Sequence, residues 1–322
     1  MINNLQLLRA FAAINVVYLH VLLGSQSYDK PTSIFPYVGH WGANGVDIFF
    51  VISGFVMIYT QTVNPKTTFN FYKSRILRIV PIYWLITSFI IIIYFLFSGL
   101  FKSFTIDIKS SVSSFLFISQ LLNNSYPIIN LGWTLEWEML FYLIFGIALY
   151  FKTLNKIIFF IFFTMIIIFL ITKKLFFFEF FLGVIIGYYY NKFNKVDNNL
   201  ALIFLITGIL TLLMSINPNS KILNFDRFVI WGLPSAFIVF GAIYFKQIKN
   251  KFLLYLGDAS YCIYLVQILT IPGFYKLITY LDVKISNNFL SIICLISSVA
   301  FGCIFHTYIE KKIRLVKYKI NI

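Results

Sequence analysis

Acidic side chains are rare in this chain: Asp and Glu together number 11 in 322 residues, and charged residues of both signs make up only 11%. A soluble domain carries about 25%, so this surface cannot be held in water, and a water-soluble globular fold is excluded. Cysteine is equally sparse. Cys262, Cys294 and Cys303 all fall inside apolar runs, and an odd number of lipid-depth thiols is not a disulfide framework. The three histidines are dispersed, so no spacing marks a metal-ligand set and no metal is expected. No DNA- or RNA-binding motif, internal repeat, long linker or soluble domain is visible. The sequence reads as one domain over 1–322, ending in a short basic tail, 311–322.

What is abundant is apolar bulk: 60% hydrophobic residues and a mean hydropathy of +0.87. Apolar runs of spanning length occur at about 5–23, 45–62, 81–98, 134–151, 156–172, 175–190, 200–216, 228–245, 252–275 and 288–309. Each is close to the ~20 residues that cross a hydrocarbon core of ~30 Å. Backbone in lipid must satisfy its own hydrogen bonds. The expected fold is therefore all-α, a polytopic membrane bundle of about ten transmembrane helices. The Ser-rich stretch 110–122 is too short to span and reads as an interfacial or re-entrant helix. Residues 1–23 lack the basic start and small-residue cleavage site of a secretory signal and are expected to stay in the protein.

The net charge of +15 sits at the ends of these runs. With the N-terminus inside, sixteen Lys and Arg fall on cytoplasmic connections and nine on the opposite side, which places both termini in the cytoplasm. Lys173-Lys174 is the main exception.

Ionisable groups at membrane depth cost about 2.5–3.5 kcal/mol on insertion scales and call for a reason. Arg9 and His20 are eleven residues apart, which puts them on one helix face, about 16 Å apart along the axis. Asp47, Glu138 and Glu179 each lie a few residues into a span entered from outside, at the depth of His20. Arg75 and Arg78 lie at the cytoplasmic start of the third run, on the side of Arg9. The expected layout is an inner basic zone and an outer histidine–carboxylate zone. That layout suits acyl transfer to a hydroxyl. An imidazole accepts the hydroxyl proton, a carboxylate orients the imidazole, and guanidinium groups hold a phosphorylated donor such as coenzyme A.

Ordered motifs carry a family resemblance. They are Arg9 and His20; GVDIFFVISGFVM at 45–57; FYKSRILRIVPIYW at 71–84, an Arg-x-x-Arg segment; WTLEWEMLFY at 133–142; and the weaker EFFLG at 179–183 and LGDASYCIYLVQ at 256–267. From about residue 3 to 315 the chain resembles the acyltransferase-3 membrane acyltransferases, which include O-antigen, capsule and Nod-factor O-acyltransferases. The resemblance implies a bacterial cytoplasmic-membrane enzyme that moves an acyl group, most often acetyl, from cytoplasmic acetyl-CoA to a hydroxyl of a surface or lipid-linked polysaccharide such as O-antigen. It implicates Arg9, His20, Arg75, Arg78 and Glu138 in activity; together with the shared layer, the catalytic candidates are His20, Glu138 and Asp47, and the donor-binding candidates Arg9, Arg75 and Arg78. Acceptor or supporting roles fall to Trp133, Tyr142, Glu179, Ser260 and Tyr261. Two departures stand out: Gln267 occupies a position that is His in many relatives, and the IEKK tail keeps Glu310 without the usual Pro. The expected partners are the glycan acceptor and membrane lipid, with no nucleic acid. The competing expectation is a polytopic transporter or flippase for a lipid-linked sugar, because buried His, Asp and Glu also serve proton relays.

Overall fold

The computed structural model describes every residue except Met1, 35–39, 98, 100–104, 124, 194, 218–224 and 320–322. Lys102 and Lys221, two of the outer-side lysines of the topology argument, lie outside the described residues. Among the described residues there is no strand. Among the described residues, seven helices are long and apolar enough to cross a membrane: Asn3–Ser27, Trp41–Val63, Thr68–Leu96, Gly132–Phe151, Leu154–Thr172, Lys251–Tyr280 and Asn287–Leu315. Asn198–Met214 and Phe228–Tyr244 are shorter apolar helices. The protein is an all-α polytopic membrane bundle. The chain forms two compact units, Met1–Pro65 with Phe162–Ile322, and Lys66–Ile161.

In the larger unit, α1 (Asn3–Ser27) is central. One of its faces, with Leu5 and Ala12, packs into a core shared with α2 (Asn44–Val63), α8 (Phe178–Lys192) and α10 (Leu233–Tyr244). The opposite face, with Ala10, Ala13, Val17 and Val21, packs on α11 (Lys251–Tyr280) and α12 (Asn287–Phe305). The N-terminal end of α1 is pinned by Asn4, whose amide donates to the Ala242 carbonyl at 2.9 Å and accepts from the Ile248 amide at 2.9 Å.

Chain directions follow from which residues meet. Gln6 lies against Gly257 and Gly24 against Ile271, so α1 and α11 run parallel. Gly208 on α9 (Asn198–Met214) lies against Pro234 and Ile238, and Gly241 against Ala201, so α9 and α10 are antiparallel. Tyr275 reaches Ser291 while Tyr255 reaches Thr307, so α11 and α12 are antiparallel. The two antiparallel pairs are what neighbouring helices that cross in alternate directions give.

In the smaller unit, α3 (Thr68–Leu96) runs antiparallel to α6 (Gly132–Ala148): Tyr83 lies against Gly132, and Tyr72 donates to the Leu143 carbonyl at 2.8 Å. The third span therefore begins well before the expected residue 81. Its basic stretch, Lys73 to Arg78, is part of the helix itself. The 110–122 stretch forms two short helices, α4 (Ile108–Phe115) and α5 (Ser119–Asn123). Between them Phe117 is left-handed (φ 59°), with Phe117 N–H on the Ser114 carbonyl and Ile118 N–H on the Ser113 carbonyl. This paired closure ends a helix, and the Phe117 ring offsets the strain by packing 4.5 Å from Tyr83. Glu136 anchors the second short helix, accepting the Ser119 and Gln120 amides at 3.0 and 2.7 Å. Left-handed Lys152 closes the 3-10 turn Leu149–Phe151 that follows α6, and left-handed Lys173 ends α7 (Leu154–Thr172).

Candidate active site

Two clusters hold most of the residues singled out from the sequence, one in each unit.

In the larger unit, α1 meets the start of α2 closely. A Cβ on Gly42 or Gly45 would collide with the α1 backbone at Asn15 and Ala12, and Asn15 donates to Asn44 at 2.8 Å. One turn beyond that contact stands half-buried His20, whose Nδ1 is 2.8 Å from the Val16 carbonyl. A carbonyl only accepts, so Nδ1 carries the proton, and in the neutral ring Nε2 keeps its lone pair. The imidazole is oriented by its own helix. The expected Asp47 partnership is not formed: the fully buried Asp47 carboxylate is gripped by Arg227, with Nε–Oδ1 and Nη2–Oδ2 both at 2.8 Å. Arg227 also donates to the Ala43 carbonyl at 3.1 Å and lies 5.2 Å over the Trp231 ring. Fully buried Glu179 adjoins this pair and packs against Gly232, where a side chain would strike its carboxylate. Tyr264 of α11, edge-on to Phe49 at 6.1 Å, is also near Arg227. Arg9 and Tyr261 are half-buried. Ser260 is fully buried, with no hydrogen-bond partner for its hydroxyl among the described residues.

In the smaller unit, Glu138 accepts a hydrogen bond from the Tyr142 hydroxyl one turn along α6. Arg75 is buried against α6, its guanidinium 5.6 Å from the Phe71 ring and 5.7 Å from the Tyr142 ring. Arg78 and Glu138 lie within its electrostatic reach. Glu138 is thus at the depth of Arg75, so the expected division into an outer acidic and an inner basic layer does not hold for this pair. The physical reason is length. α3 is a 29-residue helix, and α6 starts beside its midpoint, so a few residues into α6 is already deep. Trp133 is half-buried on the first turn of α6. Half-buried Lys66, read from sequence as a topology signal, joins the basic cluster. Burial and the neighbouring Arg75 charge hold its ammonium below the ordinary lysine range.

Sequence reasoning missed Arg227, Lys66 and Tyr264 as site neighbours. Arg227 gave no local signal, since its carboxylate partner is 180 residues away.

Comparison with known proteins follows the same lines. A family model described as an acyltransferase domain, acyltransferase-3, matches residues 2–308. The exopolysaccharide production protein ExoZ of Rhizobium meliloti (strain 1021) is 38% identical over 112 residues, covering 34% of this chain. The match spans about a third of that relative, 35% of its length. No solved structure matches the chain.

Proposed function

The chain belongs to the acyltransferase-3 family and is a membrane acyltransferase, and from that premise we propose that it O-acetylates a surface or lipid-linked polysaccharide, in the manner of O-antigen modification, with acetyl-CoA as donor. The likeness to an exopolysaccharide production protein supports the acceptor class. The reading is carried by the tautomer of His20: its Nδ1–H is committed to Val16, so Nε2 is left to work as base. Nε2 takes the proton of the acceptor hydroxyl as its oxygen bonds to the thioester carbonyl. The C–S bond breaks, and the proton passes to the departing thiolate of coenzyme A. In a variant of the same route His20 first carries the acyl group itself. Binding of the donor phosphates on the cytoplasmic side is the role that the family resemblance gives Arg9, Arg75 and Arg78, and Lys66, a neighbour of Arg75, is proposed to share the part of Arg75. Glu138 is the catalytic carboxylate, the role that the family resemblance gives it. Asp47 serves with Arg227 to brace α2, with Glu179 beside them. Trp133, Tyr142, Ser260 and Tyr261 support the acceptor and the acids. The protein sits in the bacterial cytoplasmic membrane with both termini inside.

A second reading, a transporter or flippase for a lipid-linked sugar, draws on the buried Asp47–Arg227–Glu179 group, since such clusters also relay protons. One assay separates the two: transfer of labelled acetyl from acetyl-CoA to glycan by purified protein in detergent. We expect transfer by the wild type and a loss of about 10²–10⁴-fold in His20→Ala. Transfer by His20→Ala at the wild-type rate would remove the imidazole from the chemistry, and no transfer by the wild type would favour transport.

A further inference from the structure

Within the larger unit, α11 and the end of α12 bring together three side chains of metal-ligand type. Cys262 lies on α11, and His306 and Glu310 lie on the π-helical turn His306–Glu310 that follows α12. All three are buried, at 0%, 1% and 2% exposure. Their Sγ, imidazole and carboxylate atoms all lie within 4.8 Å of one another. Sγ is 3.0 Å and His306 Nδ1 2.6 Å from the same oxygen, Glu310 Oε2. The other oxygen, Oε1, is held by Arg314. Tyr255 packs edge-on to the imidazole at 5.8 Å and is itself fixed by Thr307 at 2.7 Å and the Cys303 carbonyl at 3.0 Å.

We propose that Cys262, His306 and Glu310 form a structural binding site for a zinc-class divalent ion that ties α11 to the junction of α12 with the basic helix α13 (Lys311–Lys319). The donor set selects the ion: thiolate and imidazole with one carboxylate suit zinc and its neighbours, whereas magnesium and calcium demand oxygen shells. Such an ion bonds at about 2.0–2.3 Å, which spaces its ligand atoms roughly 3.3–3.8 Å apart. The three atoms need only open slightly around Oε2 to admit it. Arg314 and Tyr255 act as the outer shell that holds carboxylate and ring in place. On binding, Cys262 gives its thiol proton to solvent, the imidazole proton moves from Nδ1 to Nε2, and bonds form from the ion to Sγ, Nδ1 and Oε2. Water completes the tetrahedron. A π-turn is where an α-helix widens, often at a functional site, and here it carries two of the three ligands.

The competing account of the same contacts is a hydrogen-bonded knot with no ion, and two conservative variants separate them. Cys262→Ser keeps an O–H donor toward Glu310, and His306→Asn keeps an N–H donor at the Nδ1 position. Both preserve the knot and remove a strong ligand. The measurements are metal content of full-length protein purified in detergent without chelator and with any affinity tag removed, thermal unfolding before and after chelation and zinc addition, and visible absorption on cobalt substitution. We expect about one equivalent of metal, a fall in Tm on chelation that zinc reverses, and a thiolate-to-cobalt band, all lost in both variants. Chelated wild-type protein that takes up neither zinc nor cobalt would overturn the proposal. So would an equal zinc response in wild type and Cys262→Ser.

Discussion

Arg227 holds both carboxylate oxygens of Asp47 at 2.8 Å, with Asp47 fully buried and Arg227 27% exposed. Breaking a buried ion pair by removing one partner costs about 3–5 kcal/mol, because the other charge is stranded. The two sides are unequal here. Without Arg227, Asp47 and its buried neighbour Glu179 face each other with no cation, whereas without Asp47 the guanidinium still reaches solvent and the Ala43 carbonyl. Arg227→Met should therefore lower Tm more than Asp47→Asn, and the double variant should lose less than the sum of the two. Thermal unfolding of the four proteins in detergent checks this, and strict additivity would mean that the pair is not coupled.

Tyr142 plays two separable parts in the smaller unit. Its hydroxyl holds Glu138 and its ring supports the Arg75 guanidinium. Tyr142→Phe keeps the ring and loses a hydrogen bond to the Glu138 carboxyl group, a contribution of about 1.5–3 kcal/mol. If Glu138 acts in the reaction, kcat should fall by about 10- to 150-fold with little change in the KM for acetyl-CoA. Tyr142→Leu also removes the ring under Arg75, and should raise that KM as well. Equal kinetics for the two variants would show that the aromatic face does not position the cation.

The spans were legible because hydropathy alone marks a helix in lipid, and Arg9 and His20 fall on one continuous helix, Asn3–Ser27. The third span began earlier than its hydropathy, since Arg75 hides its charge among aromatic rings and hydropathy scales score it as exposed. The break in 110–122 was invisible because a left-handed Phe117 is fixed by tertiary packing on Tyr83, not by local propensity. The spacing His306–Glu310–Arg314 could have flagged a charged helix face, but Cys262 stands 48 residues from Glu310 and nothing local joins them. What single-sequence reading lacked was pairing between distant segments, the same lack that left Asp47 without its partner.

Lys66 gives a pH prediction of definite sign. Burial and Arg75 lower its proton affinity, so it loses charge at lower pH than an ordinary lysine. A donor phosphate binds the charged form. The KM for acetyl-CoA should therefore rise with pH before the usual lysine range is reached, while acceptor KM stays flat. Lys66→Arg, which remains charged throughout, should remove that alkaline rise. A rise that persists in Lys66→Arg would place the titrating group elsewhere.

The placement of Asp47 against Glu179 depends on how closely α2 and α8 approach, and two glycines set that distance. A Cβ on Gly54 would occupy the position of the Phe180 carbonyl, and one on Gly183 that of the Val51 carbonyl. Both obstacles are backbone atoms, which cannot rotate away as a side chain can, so Gly54→Ala must push the two helices apart. Overpacking of this kind costs about 1–3 kcal/mol, here enough to shift the acids at the heads of both helices. Gly273, inside α11, has open space where a methyl group would stand, with nothing within 4 Å, and its φ is ordinary for a helix. Alanine there relieves only the entropic cost of a helical glycine, a gain of about 0.5–1 kcal/mol. Gly54→Ala should thus lower Tm and reduce acyl transfer, while Gly273→Ala should leave transfer unchanged and hold or raise Tm. Thermal unfolding alongside the acetyl-transfer assay reads both, and a Gly54→Ala protein as stable and active as Gly273→Ala would show that α2 and α8 can separate without disturbing the site.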